Sequence, residues 1–367
     1  MQYRHVCVES LAYVLPDEEV SSAELEFRLA SLYERLRLPE GRLELMSGIA
    51  SRRFWSPGLL PGDVSVVAGD MALTAARCDR SLVGALVHGS VCRDYLEPAT
   101  AAGVHGRLGL PGNCLAYDVS NACLGMLNGM LQVADQIELG RIQAGLVLGT
   151  EDCRGLIETT IAHLNSDLSL TRADMKRAMA SLTIGSASAA ILLTHDSVSK
   201  TGCRLLGGDV RAFTEHASLC RSGRDEVAGG GMQPLMMTDA EELLHQGIGA
   251  ATDCFPAFLT QVGWDAASIQ KTICHQVGKA HRKALLEGLQ LAVENDFTTF
   301  QHLGNTGSTA LPVTWAMAAE QRQLTKNDRV ALLGIGSGIN VIMLGIDYRS
   351  VPVGCGREAD VIAALPA

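Results

Sequence analysis

The sequence predicts an α/β fold in which buried strands alternate with helices, and three observations support this prediction. Four short apolar runs have the length and composition of strands buried on both faces, namely 82–87, 144–148, 189–193 and 330–335. Segments with helical spacing of apolar residues lie between such runs, as at 66–76 and 122–139. The chain has 367 residues, of which 47% are hydrophobic, so it can bury a large core and is not a disordered chain.

The elements of the first half follow from these runs. They are, in order, a helix at 66–76, strands at 82–87 and 114–118, a helix at 122–139, and strands at 144–148 and 189–193. The helix at 122–139 is apolar around most of its circumference and ends before Gly140, which indicates a buried central position. Gly125 and Gly129 lie four residues apart on this helix, so a neighbouring element can approach it closely.

A polar break at 195–202 separates this half from a second one. The elements predicted there are a helix at 238–262, a strand that leads to Cys274, a helix at 278–291 and two closing strands around Gly336. The stretch after Arg349 has weak periodicity, with glycine and proline near its start, and we interpret it as an appended tail. The predicted organisation is therefore an N-terminal half at 1–198, a C-terminal half at 199–348 and a tail at 349–367.

Charge and composition exclude several classes of protein. Thirty Lys and Arg residues against forty Asp and Glu give a net charge of −10, and only 4% of residues are aromatic, so a nucleic-acid-binding surface is not expected. The uncharged stretches 119–134 and 330–346 are each shorter than a membrane span and are interrupted by glycine and polar residues, so we do not expect an integral membrane protein. Eleven scattered cysteines without a Cys-x-x-Cys pair, and no secretory signal, indicate reduced thiols in the cytoplasm.

Cys123 is a candidate nucleophile because of its place in the chain. It follows a predicted strand and stands in the first turn of the predicted central helix. The unpaired N–H groups and the positive end of the helix dipole favour the thiolate there, so we expect a lowered pKa for Cys123. The other ten cysteines are interpreted as small buried apolar residues.

His275 and Asn305 are the best available partners for such a thiol. His275 ends an apolar run, where a loop can present the imidazole to a pocket, and Asn305 lies in a turn-rich segment before another helix. Taken singly, each also fits a plain structural role. A serine hydrolase and a zinc site lack the required motifs. The glycine cluster at 334–339 does not match the dinucleotide-binding pattern, and by spacing it suits either a plain hairpin or part of an oxyanion hole.

Four motifs together resemble the active-site motifs of the thiolase superfamily, in its ketoacyl synthase III branch. They are Asp118-Val-Ser-Asn-Ala-Cys-Leu-Gly125, Cys274-His-Gln276, His302-Leu-Gly-Asn-Thr-Gly-Ser308 and Leu333-Gly-Ile-Gly-Ser-Gly338. The resemblance extends from the N-terminus to about Asp347. It implies a duplicated five-layered α/β/α/β/α fold, a homodimer and Claisen condensation of acyl thioesters.

The same resemblance implies roles for individual residues. Cys123 accepts the acyl group, His275 and Asn305 are its partners, and the backbone N–H groups of Cys123 and Gly338 form the oxyanion hole. No cofactor is implied, since coenzyme A or carrier-protein thioesters are the substrates.

A finer resemblance concerns the stretch Ser90-Val-Cys-Arg-Asp-Tyr-Leu-Glu-Pro-Ala-Thr100. It is similar to the OleA-type enzymes of long-chain olefin biosynthesis, in which a glutamate reaches the active site from the partner subunit, and Glu97 falls at that position. Alone, Glu97 also fits an ordinary surface carboxylate. The segment at 184–188 departs from the usual Gly-Asp-Gly-Ala pattern of ketoacyl synthase III enzymes.

The predicted function is an acyltransferase that joins two fatty acyl-CoA molecules through an acyl group on Cys123, with Glu97 as the base. Two alternatives remain open, a malonyl-using ketoacyl synthase III and a subunit that only binds acyl chains. Coenzyme A or a carrier protein would meet basic residues at the mouth of a pocket. Five basic residues stand in segments that could flank such a mouth: Arg52, Arg53, Lys279, Arg282 and Lys283. Each of them also fits ordinary surface charge.

Overall fold

The computed structural model of the protein describes residues 1–222 and 236–365. Within these ranges the strands are β1 (Val6–Leu15), β2 (Glu18–Ser21), β3 (Ser51–Phe54), β4 (Val83–Gly89), β5 (Leu115–Val119), β6 (Ala144–Glu151), β7 (Ala187–His195), β8 (Cys203–Ala212), β9 (Cys220–Ser222), β10 (Met236–Thr238), β11 (Lys271–Cys274), β12 (Arg329–Gly336), β13 (Asn340–Asp347) and β14 (Val353–Arg357). The four apolar runs predicted as buried strands are confirmed as β4, β6, β7 and β12.

The helices confirm the predicted alternation with strands. They are α1 (Ser22–Arg28), α2 (Ala30–Leu36), α3 (Arg42–Ser47), α4 (Pro61–Ala76), α5 (Thr100–Leu108), α6 (Gly125–Glu138), α7 (Arg154–Ser166), α8 (Arg172–Ala178), α9 (Ala240–Val262), α10 (Lys279–Gly288), α11 (Phe300–Leu303), α12 (Ala310–Glu320) and α13 (Glu358–Ala364). The central helix α6 begins at Gly125, later than predicted, so Cys123 precedes it.

The main sheet repeats one strand order in its two halves. The first half has the order β5-β4-β6-β7-β1 and the second has β11-β12-β13-β8. A parallel bridge between Thr272 and Asp296 extends β11 on the side where β5 extends β4. In each half a parallel pair, β4 with β6 or β11 with β12, is followed by antiparallel strands. The two halves meet through a short pairing of β1 with β8. This repetition is the duplication that the family resemblance implies.

Three hydrophobic clusters separate the chain into five layers. The central cluster contains residues of α6 and α12 together with inward-facing residues of both half-sheets, such as Leu127, Trp315 and Ile342. A second cluster joins α4, α5 and α13 to the outer face of the first half-sheet. The third joins α9 and α10 to the outer face of the other half-sheet. The α/β/α/β/α arrangement is therefore confirmed, with α6 in its middle layer.

The segment after Arg349 is not an appended tail. β14 pairs in parallel with β1 over Leu11–Leu15, and Val361 of α13 is buried in the cluster around α4. Gly354 and Gly356 weaken the strand pattern in the sequence, but both have a packing role in the structure. A Cβ at Gly354 would lie 2.8 Å from the Cβ of Met71 on α4, so glycine permits this close approach. Pro366 and Ala367 lie outside the described residues.

Over 1–222 and 236–365, none of the helices has both the length and the apolar character required to span a bilayer.

A buried chain of hydrogen bonds crosses the first half-sheet from His88. Its Nε2 lies 3.1 Å from the Ser65 hydroxyl, which is 2.7 Å from the hydroxyl of Thr150, and Thr150 is 2.7 Å from that of Ser188. Burial lowers the pKa of His88 to about 4. The imidazole is therefore neutral in the folded protein at neutral pH.

We expect this histidine to make the protein less stable in acid. Between about pH 6.5 and pH 4 the unfolded chain binds a proton at His88 that the folded chain does not, so the free energy of unfolding decreases as pH falls. His88→Gln should reduce the slope of that free energy by up to about 1.4 kcal/mol per pH unit. Urea denaturation from pH 5 to 7.5 measures the slope. His245→Gln, at an exposed position, is the control, and equal slopes in the two variants would contradict the prediction.

Candidate active site

Cys123 stands in a tight turn between β5 and α6. Ala122 has a left-handed φ of 44°, and the Leu124 N–H donates to the Asn121 carbonyl at 2.9 Å. The start of α6 rests against the end of β4, because a Cβ on Gly125 would lie 2.9 Å from the carbonyl carbon of Gly89. This confirms the close approach predicted from the glycine spacing. The thiol is half-buried at the N-terminal end of the central helix.

The electrostatic environment of Cys123 opposes the thiolate. Burial raises the pKa of Cys123 to about 12, and the negative charge of Glu151 acts in the same direction. The expected lowering of this pKa is therefore wrong for the free protein. Cys123 precedes the helix cap, and the dipole effect, which is confined to the first turn, is outweighed by desolvation.

The glycine-rich turn between β12 and β13 is a hairpin that contacts the Cys123 segment. β12 and β13 pair antiparallel up to Gly336 and Asn340. A Cβ on Gly336 would lie 2.9 Å from Cγ of Leu124, and the Asn340 side-chain amide donates to Asn121 Oδ1 at 3.2 Å. Gly338 is thus carried at the tip of a hairpin that is fixed beside the turn containing Cys123.

His275 follows β11 and is 3% exposed. Its backbone N–H donates to the Leu333 carbonyl at 3.0 Å, which holds it against β12. Burial lowers the pKa of His275 to about 3, with a smaller effect of His281, so the imidazole is neutral. Its Nδ1 has no hydrogen-bond partner among the described residues. A buried ring with an unsatisfied nitrogen is suited to a polar ligand.

Asn305 lies on the loop between α11 and α12, and its backbone is fixed on both sides. Its N–H donates to the Thr183 carbonyl, and its own carbonyl accepts from the Gly185 N–H, both at 3.0 Å. The side-chain Oδ1 accepts from the Gly307 N–H at 3.1 Å. This bond leaves the Nδ2 group of Asn305 as a donor for a ligand.

The sequence analysis missed Glu151, a buried carboxylate at the end of β6. It is 5% exposed and accepts hydrogen bonds from the backbones of Val91 and Cys92 and from Ser308. The available signal was its position, since β6 is parallel to β4 and functional side chains gather at the carboxyl ends of parallel strands.

Glu97 lies on the loop between β4 and α5 and is exposed in the single chain. The loop is anchored on both sides of it. Asp94 accepts from the Gly62 N–H at 2.6 Å, and the carboxylate of Asp118 accepts from the N–H groups of Thr100 and Ala101, each at 2.8 Å. The loop is therefore held at its ends, while Glu97 between them is exposed to solvent.

The predicted basic residues lie in different environments. Arg52 is 0% exposed and donates to the Val20 carbonyl and the Ser22 hydroxyl, so its expected place at a pocket mouth is wrong. Arg282 is paired with the buried Asp296 at 2.7 Å, and Arg53 contacts Glu19 at 3.2 Å. Lys279 and Lys283 are exposed on α10. A role in binding coenzyme A remains a prediction, best placed on Lys279.

The arrangement suits covalent acyl transfer. A thiol stands between β5 and α6 beside the β12–β13 hairpin, and His275 is held against β12 of that hairpin. Glu151, whose charge acts on the thiol, is hydrogen-bonded to Ser308 on the loop of Asn305. A neutral imidazole, an amide donor and backbone N–H groups are the types of group that stabilise negative charge on a thioester oxygen.

Comparison with known sequences supports the same chemistry. A family model described as 3-oxoacyl-[acyl-carrier-protein (ACP)] synthase III C terminal matches residues 259–346. The chain is 42% identical over 351 residues to a Shewanella oneidensis protein named acyl-CoA:acyl-CoA alkyltransferase, covering 95% of this chain and 100% of that one. It is 27% identical over 336 residues to beta-ketoacyl-[acyl-carrier-protein] synthase III 5 of Streptomyces coelicolor, covering 90% and 93%.

Solved structures of Xanthomonas campestris OleA are similar to this chain, with a TM-score of 0.89 at 32% identity over 95% of this chain and 98% of that one. They include variants of a cysteine and of a glutamate that precedes it, and the separation of those two residues equals that of Glu97 and Cys123. The chain therefore belongs to the acyl-CoA:acyl-CoA alkyltransferase family, the OleA-type condensing enzymes of the thiolase superfamily.

Proposed function

We propose that the protein joins two fatty acyl-CoA molecules by non-decarboxylative Claisen condensation. The observation that carries this proposal is the combination of Cys123 at the start of α6 with Glu97 on an exposed, anchored loop that precedes it in the chain. The name of the Shewanella relative and a Xanthomonas structure with bound lauric acid and lauroyl-CoA support fatty acyl-CoA as the substrate class.

In the first half-reaction, the sulfur of Cys123 attacks the carbonyl carbon of one acyl-CoA. The bond between that carbon and the sulfur of coenzyme A breaks, and the thiol proton of Cys123 ends on the released coenzyme A. The high pKa of Cys123 means that this proton must be transferred during the reaction. The N–H groups of Cys123 and Gly338 are proposed to stabilise the tetrahedral oxyanion.

In the second half-reaction, Glu97 removes a proton from the α-carbon of a second acyl-CoA. His275 and Asn305 donate to the oxygen of that thioester as negative charge develops, which requires the proton of the neutral imidazole to be on the nitrogen facing the substrate. The α-carbon attacks the carbonyl carbon of the acyl group on Cys123. A carbon–carbon bond forms, and the bond between that carbonyl carbon and the Cys123 sulfur breaks. The thiolate recovers the proton held by Glu97, and a β-ketoacyl-CoA leaves.

A homodimer is part of the proposal, with Glu97 acting in the site of the partner subunit. β5 is an edge strand of the sheet, so its outer backbone groups are available to a second β5. Exposed apolar residues accompany it, namely Val91, Tyr95 and Leu96 on the Glu97 loop and Leu115 on the strand. Such a group of residues is typical of a protein interface.

The proposal needs no cofactor besides the thioester substrates, and it assumes a cytoplasmic protein. All eleven cysteines are free, which suits a reducing compartment.

A malonyl-using ketoacyl synthase III is the second candidate, favoured by the matching family model and the Streptomyces relative. Decarboxylation supplies the carbanion in that reaction, so Glu97 would have no proton to remove.

One experiment separates the two candidates. The protein is incubated with acyl-CoAs of increasing chain length, with and without malonyl-CoA, and intact-protein mass spectrometry is combined with product analysis. We expect an acyl adduct on Cys123 within one range of chain lengths and a β-keto product of two acyl chains without malonyl-CoA. Product formation only in the presence of malonyl-CoA would favour the second candidate.

A further inference from the structure

Glu151 connects two loops that the proposed reaction uses separately. Its Oε1 accepts from the Val91 N–H at 3.1 Å, the Ser308 N–H at 3.2 Å and the Ser308 hydroxyl at 2.6 Å, and its Oε2 accepts from the Cys92 N–H at 3.2 Å. Val91 and Cys92 begin the loop that carries Glu97, and Ser308 stands shortly after Asn305. One buried carboxylate therefore holds both loops.

We propose that Glu151 is a positioning residue that fixes the Glu97 loop and the Asn305 loop relative to each other. The packing around Glu151 also restricts where the Asn305 loop can lie. A Cβ on Gly307 would lie 3.1 Å from Cδ of Glu151, so the Asn305 loop rests directly on the carboxyl group. Cys92 is held a second time, because its Sγ accepts from the Asp152 N–H at 3.3 Å.

Within 1–222 and 236–365 no ion pair with Glu151 is found, and the donors that its carboxylate has there are all neutral. This negative charge is close enough to Cys123 to raise the pKa of that thiol. Loss of the Glu151 charge can therefore be detected at Cys123 independently of condensation.

In the proposed dimer, Glu151 would connect the two active sites, an inference that rests on the proposed function. The Asn305 loop serves the active site of its own subunit, whereas the Glu97 loop of the same subunit serves the other site. Glu151 would therefore position two groups at once. One is Asn305, the hydrogen-bond donor to the substrate oxygen in its own site, and the other is Glu97, the base of the partner's site.

Glu151→Gln tests the positioning role with little change in shape. The amide oxygen can keep the three bonds that Oε1 accepts, but the amide nitrogen faces the Cys92 N–H, so two donors meet at the root of the Glu97 loop. We expect acylation of Cys123 to be at least as fast as in the parent and condensation to fall by about a hundredfold, as for a displaced catalytic group. Condensation within about twofold of the parent would overturn the proposal.

Alkylation of Cys123 by iodoacetamide provides a readout independent of condensation. Removal of the charge should lower the pKa of Cys123, and a decrease of one unit gives about tenfold faster alkylation at pH 9. Glu151→Asp keeps the charge but shortens the side chain, so it should lose condensation while alkylation stays at the parent rate. Peptide mass spectrometry assigns the labelled cysteine. Equal alkylation rates in the Gln variant and the parent, or fast alkylation in the Asp variant, would contradict the electrostatic effect.

Ser308→Ala is the matched control for the other loop, since it removes one hydroxyl bond and leaves the charge. It should reduce condensation without changing alkylation of Cys123. If the Gln variant fails to fold, the Asp and Ser308→Ala variants still decide, because parent-like condensation in both would overturn the proposal. A parent protein that acylates and alkylates normally but makes no product from acyl-CoA alone would instead contradict the proposed function.

Discussion

Replacing Cys123 with alanine is expected to abolish both the covalent acyl adduct and the condensation product. No other group in the proposed mechanism can form the thioester intermediate, and removal of a nucleophile typically leaves only background activity. Intact-protein mass spectrometry after incubation with acyl-CoA measures the adduct, and product analysis measures turnover. We expect the mass of the variant to stay unchanged by the incubation.

The fold should tolerate this substitution. Cys123 is half-buried in a turn outside α6, so alanine removes one sulfur atom without disturbing a helix. Thermal unfolding of the variant should resemble that of the parent. Cys355→Ala, at an exposed cysteine of β14, is the matched control and should acylate like the parent. An acyl adduct on the Cys123→Ala variant would show that another residue is the nucleophile.

Glu97→Gln is expected to separate the two half-reactions. The amide has nearly the shape of the carboxylate but cannot accept the α-proton, so acylation of Cys123 should stay near the parent rate while condensation stops. Because the side chain is exposed, we expect little change in stability. Glu40→Gln, another exposed glutamate, is the control and should leave both half-reactions unchanged.

Mixing two inactive variants tests whether Glu97 acts in the partner subunit. After subunit exchange, a heterodimer of Cys123→Ala and Glu97→Gln contains one site with Cys123 from one chain and Glu97 from the other. Activity should return to a measurable fraction of the parent level. A mixture that stays inactive after demonstrated subunit exchange would argue against a shared site, and condensation by Glu97→Gln alone at the parent rate would exclude Glu97 as the base.

The sequence was sufficient for the layered fold and for placing Cys123 beside the start of its central helix. Apolar runs and glycine positions predicted β4, β6, β7, β12 and the close packing of α6, because these features depend on local pattern. The glycine-rich turn was predicted as a hairpin or an oxyanion component, and the structure carries Gly338 on a hairpin beside Cys123. The catalytic roles themselves stay predictions until the variants are measured.

Properties that depend on distant neighbours could not be predicted from local pattern. The helix start suggested a lowered pKa for Cys123, but burial raises it, and so does Glu151, which belongs to the next strand along the chain. Arg52 looked like surface charge, yet β3 buries it against the carbonyl of Val20. Glu151 has no motif of its own, because its role comes from donors on two loops that only the tertiary fold brings together.

The parallel pairing of β14 with β1 also constrains how the protein is made. Leu11–Leu15 leaves the ribosome long before its partner on this side, Val353–Arg357. Until β14 has been synthesised, part of β1 keeps an unpaired edge, which is a place where strands of other chains can add. Any premature stop before residue 353 would make that exposure permanent, so a segment that is made late protects an early one from aggregation.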